Sequence, residues 1–149
     1  MCAFAIAGLV ALQAAFMVFA VAGLGKWVAD GGEYTKSVIE AEEPPEFTGA
    51  VGFMLHGMTG MMLIPLVALV LLIVSFFAKV PGGSTWAGFV LGAVLLQVAL
   101  GIFGHESPYV GFLHGLNALV LFSLATMAGR RATEVVAVDV PMREATPAR

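Results

Sequence analysis

Residues 51–78 read VGFMLHGMTGMMLIPLVALVLLIVSFFA, an apolar run with a histidine, His56, close to its start. A bilayer core of roughly 30 Å is crossed by about 20 apolar residues in a helix, so this run reads as a membrane span. Its opening letters recur. Val51-Gly52-Phe53-Met54-Leu55-His56-Gly57 returns, one residue shorter, as Val110-Gly111-Phe112-Leu113-His114-Gly115, again near the start of a long apolar run. An ionisable side chain in lipid is costly and usually functional. Two histidines in the same local sequence point to an internal duplication presenting two imidazoles to one shared site.

The rest of the chain has the same character. Of 149 residues 60% are hydrophobic and 11% charged, and the mean hydropathy is +0.97, which defines an integral membrane protein. Four runs are long enough to span: Cys2 to Gly25, about Gly49 to Ala78, Trp86 to Gly104, and Tyr109 to Ala128. The expectation is an all-α four-helix transmembrane domain over residues 1–131, followed by a disordered cytoplasmic tail at 132–149. The first run is too apolar, and lacks the basic leader and small-residue cleavage site, to be a signal peptide, so it is read as a retained helix. Cys2 is the only cysteine, so no intramolecular disulfide forms, and the absence of C-x-x-C-H excludes ordinary covalent c-type heme attachment. The net charge of -3 gives no reason to expect a nucleic-acid partner.

Basic residues set the expected topology. Lys79 lies in the tight link between the second and third runs, and Arg130 and Arg131 close the fourth, which places these ends in the cytoplasm. The connection from Lys26 to Thr48 carries Asp30, Glu33, Glu40, Glu42, Glu43 and Glu46 against only Lys26 and Lys36, and reads as a mobile outer loop. Both termini then face the cytoplasm in a multi-pass cell-membrane protein. The duplication extends to Ala11-Leu12-Gln13-Ala14-Ala15, echoed by Leu95-Leu96-Gln97-Val98-Ala99. Each half becomes a glutamine-bearing helix followed by a histidine-bearing one, two parallel-repeated hairpins about an axis along the membrane normal. His56 and His114 would share a depth of about 8–10 Å below the outer interface at 1.5 Å per residue.

The neighbours of the histidines suit a flat guest. Gly52, Gly60 and Thr59 share the His56 face; Gly111, Asn117 and Ala118 share the His114 face; Gln97 approaches from the third helix to donate a hydrogen bond to a ring nitrogen or cofactor edge. A non-covalent heme b with His56 and His114 as axial ligands fits this pattern, because a helix bundle holds two imidazoles on opposite sides of a macrocycle. The competing reading makes the glycines a close-packing surface and the histidines interhelical hydrogen-bonding groups. His105 reads as a solvated loop histidine, Pro65 as a kink that frees a carbonyl, and Met54, Met58, Met61 and Met62 as packing or lipid-facing residues.

The stretch Leu96-Gln97-Val98-Ala99-Leu100-Gly101, followed by Leu113-His114-Gly115-Leu116-Asn117-Ala118, resembles the third- and fourth-helix motifs of the heme A synthase family. The chain as a whole resembles one four-helix half of that family, and small four-helix bacterial membrane proteins with the same two histidines. The resemblance implies heme ligation by His56 and His114. It does not extend to heme A synthesis: Phe53 and Gly57 stand where that family carries a glutamate before, and an arginine after, its second-helix histidine. The expected function is therefore a small b-type cytochrome for electron transfer or heme holding near the outer face, without heme A synthase chemistry. Its partners would be the bilayer, a quinone or an outer-face redox protein, and Lys26 and Lys36 are the outer cations able to meet heme propionates. The alternatives are a cofactor-free structural or assembly subunit of a homo-oligomer or membrane complex, and a small transporter. A Soret band, dependence on a partner, and solute flux separate the three.

Overall fold

A computed structural model describes residues 1–39, 41 and 45–144, with side chains through Val135 except that of Ile39. The chain is all helical among the described residues: α1 (Cys2–Ala29), the single turn α2 (Lys36–Ile39), α3 (Ala50–Met58), a π-helical turn (Thr59–Leu63), α4 (Ile64–Ser75), α5 (Gly83–Phe103) and α6 (Pro108–Glu144). Four helices are long and apolar enough to cross a membrane: α1, the continuous run Ala50–Ser75, α5, and Pro108–Val135 within α6. The acidic connection between α1 and α3 contains the turn α2, while Glu40, Glu42, Glu43 and Pro44 lie outside the described residues. At the other end α6 continues beyond Arg131, where the composition predicts a tail without regular structure. No glycine or proline stands between Arg131 and Val140 to stop the helix, and residues 145–149 lie outside the described residues.

The chain divides into two compact units, Ala11–Leu63 and Met1–Val10 with Ile64–Arg149. The second contains one core fed by four helical segments. Ile6, Ala7 and Val10 come from α1, Ile64 and Ala68 from α4, Val90 and Val94 from α5, and Leu121 and Ala125 from α6. These positions recur every three or four residues, the period of one helical face. The buried set is dominated by alanine and valine, while Phe76, Phe77, Phe112, Leu119 and Met62 are exposed. A chain with small residues inside and large apolar ones outside packs as membrane helices do. Lipid tails are as apolar as leucine, so close backbone contact, not burial of bulk, drives association. The Phe4 ring lies flat on Gly129, where an added Cβ would come within 2.8 Å of it.

In the unit Ala11–Leu63, α1 and α3 run antiparallel at close quarters. A Cβ at Gly52 would lie 2.5 Å from the Phe16 carbonyl oxygen, and one at Gly49 would lie 2.6 Å from that of Phe19. Gly49 also has φ 105°, a conformation closed to most side chains, so the turn into α3 requires glycine twice over. Trp27 stacks on Phe47 at 5.9 Å and Phe47 meets Phe53 edge-on at 6.5 Å, closing the loop end of this hairpin. The link between α4 and α5 reverses through Lys79 (φ 51°) and Gly82 (φ 71°).

The π-helical turn has two local causes. Pro65, two residues beyond it, lacks an N–H and cannot complete the preceding turn, and membrane helices absorb such a defect by widening locally. The second cause is a glutamine side chain set into the backbone ladder, described next.

Candidate functional site

Within the unit containing α5 and α6, three polar side chains form one network whose donors and acceptors are fixed by the main chain. Asn117 Nδ2 donates to the Ala93 carbonyl at 3.0 Å, which identifies that atom as the nitrogen. The same nitrogen donates to Gln97 Oε1 at 2.7 Å, which fixes the Gln97 amide. Gln97 Nε2 therefore faces His114 Nε2, at 3.1 Å. On the other side of the ring, His114 Nδ1 lies 3.0 Å from the Gln97 main-chain carbonyl. A carbonyl only accepts, so Nδ1 carries the hydrogen and Nε2 carries the lone pair. Gln97 thus grips His114 at both nitrogens, with its backbone on one and its side chain on the other. The ring lies against Gly101, where a Cβ would fall 3.1 Å from Cε1, so glycine lets the imidazole reach the α5 backbone.

The unit Ala11–Leu63 holds a related cluster. His56 Nδ1 lies 3.1 Å from the Gln13 carbonyl, the counterpart of the His114–Gln97 contact. The Gln13 amide is oriented by main-chain groups: its nitrogen donates to the His56 carbonyl at 3.0 Å and its oxygen accepts from the Gly60 N–H at 3.2 Å and faces the Thr59 hydroxyl. His56 C=O and Gly60 N–H are the pair an uninterrupted α-helix would join, so Gln13 bridges the ladder where it widens into the π turn. The amide nitrogen also lies 2.7 Å from His56 Nδ1. That ring atom consequently meets one donor and one acceptor, and either tautomer of His56 is satisfied. His114 is held in one. The Thr59 hydroxyl has one hydrogen for two acceptors, the Leu55 carbonyl at 2.5 Å and the Gln13 amide oxygen.

The two clusters have a common plan. A glutamine precedes the histidine-bearing helix, the histidine addresses its main-chain carbonyl, and the residue three places after the histidine, Thr59 or Asn117, addresses its amide. Gln13 and Asn117 are the buried polar residues, and among the described residues every buried side-chain nitrogen and oxygen has a hydrogen-bond partner.

The sequence-selected residues fall as follows. Gln97 reaches a ring nitrogen of His114 as expected, while Asn117 addresses Gln97 and Ala93 and not the ring. Gly60 faces the Gln13 amide, Gly52 faces the α1 backbone, and Gly111 lies near the Gly104 carbonyl. The space beside Gly52 and Gly60 is thus taken by the chain's own atoms, while a Cβ at Gly111 would make an ordinary contact at 3.7 Å. His105 is exposed in the turn between α5 and α6, and Lys26 pairs with Asp30. Two participants were missed as site residues: Gln13, visible in the sequence only as the partner of Gln97 in the repeat, and Gly101, visible only as the glycine that closes the third-helix motif one turn after Gln97.

The His114 nitrogen that a metal would need, Nε2, accepts from the Gln97 amide. A neutral imidazole with Nδ1–H anchored on a carbonyl presents Nε2 as a ligand, the usual arrangement around protein-bound metals. Among the described residues no group of three or more His, Cys, Asp or Glu side chains converges as a metal site, so a site built by protein ligands alone is not offered. No protein-family model, curated protein or solved structure matches the chain.

Proposed function

We propose that the chain is a membrane b-type heme-binding protein in which His56 and His114 are the two axial ligands. The observation that carries this reading is the repeated anchor: each histidine directs Nδ1 at the main-chain carbonyl of a glutamine at the corresponding place in the other half. A main-chain anchor orients the ring. A heme held there would supply one-electron transfer, and the residues around it would hold and orient the two rings. Gln97 and Asn117 complete the His114 side, and Gly52, Gly60 and Gly111 allow the backbones to come close. The two hairpins form a parallel repeat with both termini cytoplasmic in the cell membrane, which puts the histidines near the outer face and suits exchange with a quinone or an external redox protein.

A second reading is favoured by one specific observation. The Gln97 amide donates to His114 Nε2, and Gly52, Gly60 and Gly101 are closed by the chain's own atoms, as in a cofactor-free structural or assembly subunit of a membrane complex. Oxidised and dithionite-reduced absorption spectra of protein purified from heme-replete cells separate the two. Sharp reduced α and Soret bands, altered in both His56→Ala and His114→Ala, support the cytochrome. A colourless protein that takes up no added hemin supports the structural subunit.

A further inference from the structure

Between the α4–α5 link and α6, within one compact unit, lies an open cavity of about 440 Å³. Val80, Pro81 and Met127 give it an apolar lining, and Arg130, Arg131 and Glu134 supply its charges. We propose that this cavity binds the headgroup of an anionic phospholipid, with the two guanidinium groups on its phosphate. The proposal makes no use of heme.

The level of the cavity in the bilayer follows from the sequence. Pro108–Gly129 carries no Asp, Glu, Lys or Arg and is long enough to cross a core of roughly 30 Å at 1.5 Å per residue. Arg130 and Arg131 therefore emerge where the core ends. Trp86, in the first turn of α5, marks the same level, since indole rings favour the membrane–water interface. Lipid phosphates are concentrated at this depth. The apolar lining suits the glycerol and first acyl carbons attached to them, and a free phosphate would make no use of it.

The charges are arranged to receive an anion from outside the chain. Arg130 and Glu134 stand four residues apart on α6, the spacing at which helices form ion pairs, yet among the described residues the ion pair is Lys26–Asp30. Neither guanidinium is committed to a carboxylate. Arg131 is held by an aromatic face instead, with its Cζ 4.7 Å from the centre of the Trp86 ring. A ring face stabilises the cation without saturating its N–H donors, so the planar fork stays available to two phosphate oxygens. Lys79 precedes the lining residue Val80 and adds a third cation, against Glu134 as the carboxylate of the cavity. At the same link α5 begins with Gly82 as its N-cap and no capping side chain, and its positive end adds to the potential.

The test uses the full-length chain in a neutral detergent, with binding of added phosphatidylglycerol read by native mass spectrometry. Wild type should retain phosphatidylglycerol in preference to phosphatidylcholine. A cation at the membrane surface strengthens binding of an anionic lipid by about fivefold, so Arg130→Gln should weaken it by about that factor. Arg131→Lys keeps the charge but loses the fork and should also weaken binding, which separates a shaped site from a diffuse positive surface. Glu134→Gln removes the like charge and should tighten binding by up to about fivefold, and it carries the test if an arginine variant does not fold. Equal retention of the two lipids, or an affinity that does not respond to these substitutions, overturns the site. Weakening in Arg130→Gln with none in Arg131→Lys leaves charge attraction alone and also overturns it. Displacement of the lipid by millimolar inorganic phosphate overturns the assignment to lipid and gives the cavity to the free anion.

Discussion

Gly52→Ala tests the close approach of α1 and α3 on which the His56 cluster depends. The added methyl would sit 2.5 Å from the Phe16 carbonyl oxygen, 3.1 Å from the Ala20 Cβ and 3.2 Å from the Ala20 nitrogen. Carbon–oxygen contacts settle at about 3.3 Å, so the two backbones must part by about 0.8 Å at this point. None of the three is the tip of a flexible side chain; two are main-chain atoms and one is a Cβ, and the strain cannot be relieved by a rotamer change. Overpacking of this kind costs about 1–3 kcal/mol. Alanine returns at most about 1 kcal/mol through its better helix propensity, less where the unfolded state stays helical in the micelle. The expected net loss is about 1–2 kcal/mol. Gly57→Ala in the same helix is the control, because nothing lies within 4 Å of the added carbon. It should be neutral or stabilising by up to about 1 kcal/mol. The assay is SDS-titrated unfolding in mixed micelles, followed by circular dichroism and tryptophan emission. A Gly52→Ala midpoint equal to or above that of wild type would refute the packing argument.

Other consequences are open to direct measurement. Asn117→Ala removes the donor to both Ala93 and Gln97 and leaves a partly buried Gln97 oxygen unmatched, and should lower stability by about 1–2 kcal/mol in the same unfolding assay. No change would mean that the amide network contributes nothing to the bundle. The proposed topology makes a sidedness prediction in a Cys2→Ser background: a cysteine at Glu33 should react with an impermeant maleimide from outside intact cells, and one at Lys79 only after the membrane is opened. The reverse pattern would invert the topology.

Much of the architecture was legible in the letters because membrane spans announce themselves by length and apolarity, which need no knowledge of packing. The second run illustrates the limit. Its span was readable and so was Pro65, yet the π turn at Thr59–Leu63 depends on Gln13, 46 residues before Thr59, and no local pattern encodes that insertion. Spacing brought the glycines to the correct faces but could not say what fills the room beside them. Gly52 and an open cradle look alike in one dimension, and only the position of Phe16 distinguishes them. The same applies to Asn117, whose place one turn from His114 was evident while its commitment to the Ala93 carbonyl was not. The repeated Gln-to-His relation was the most informative sequence feature, because both copies form the same ring-to-carbonyl contact.

The most direct test of the central claim is low-temperature EPR of the ferric protein, recorded with its heme-to-chain ratio and beside His56→Ala and His114→Ala. One heme per chain with a single low-spin bis-imidazole signal, converted to high spin or lost in each variant, is the predicted result. A wild-type protein that binds no heme, or a bound heme whose signal survives the loss of either histidine, would contradict the assignment of His56 and His114 as its ligands.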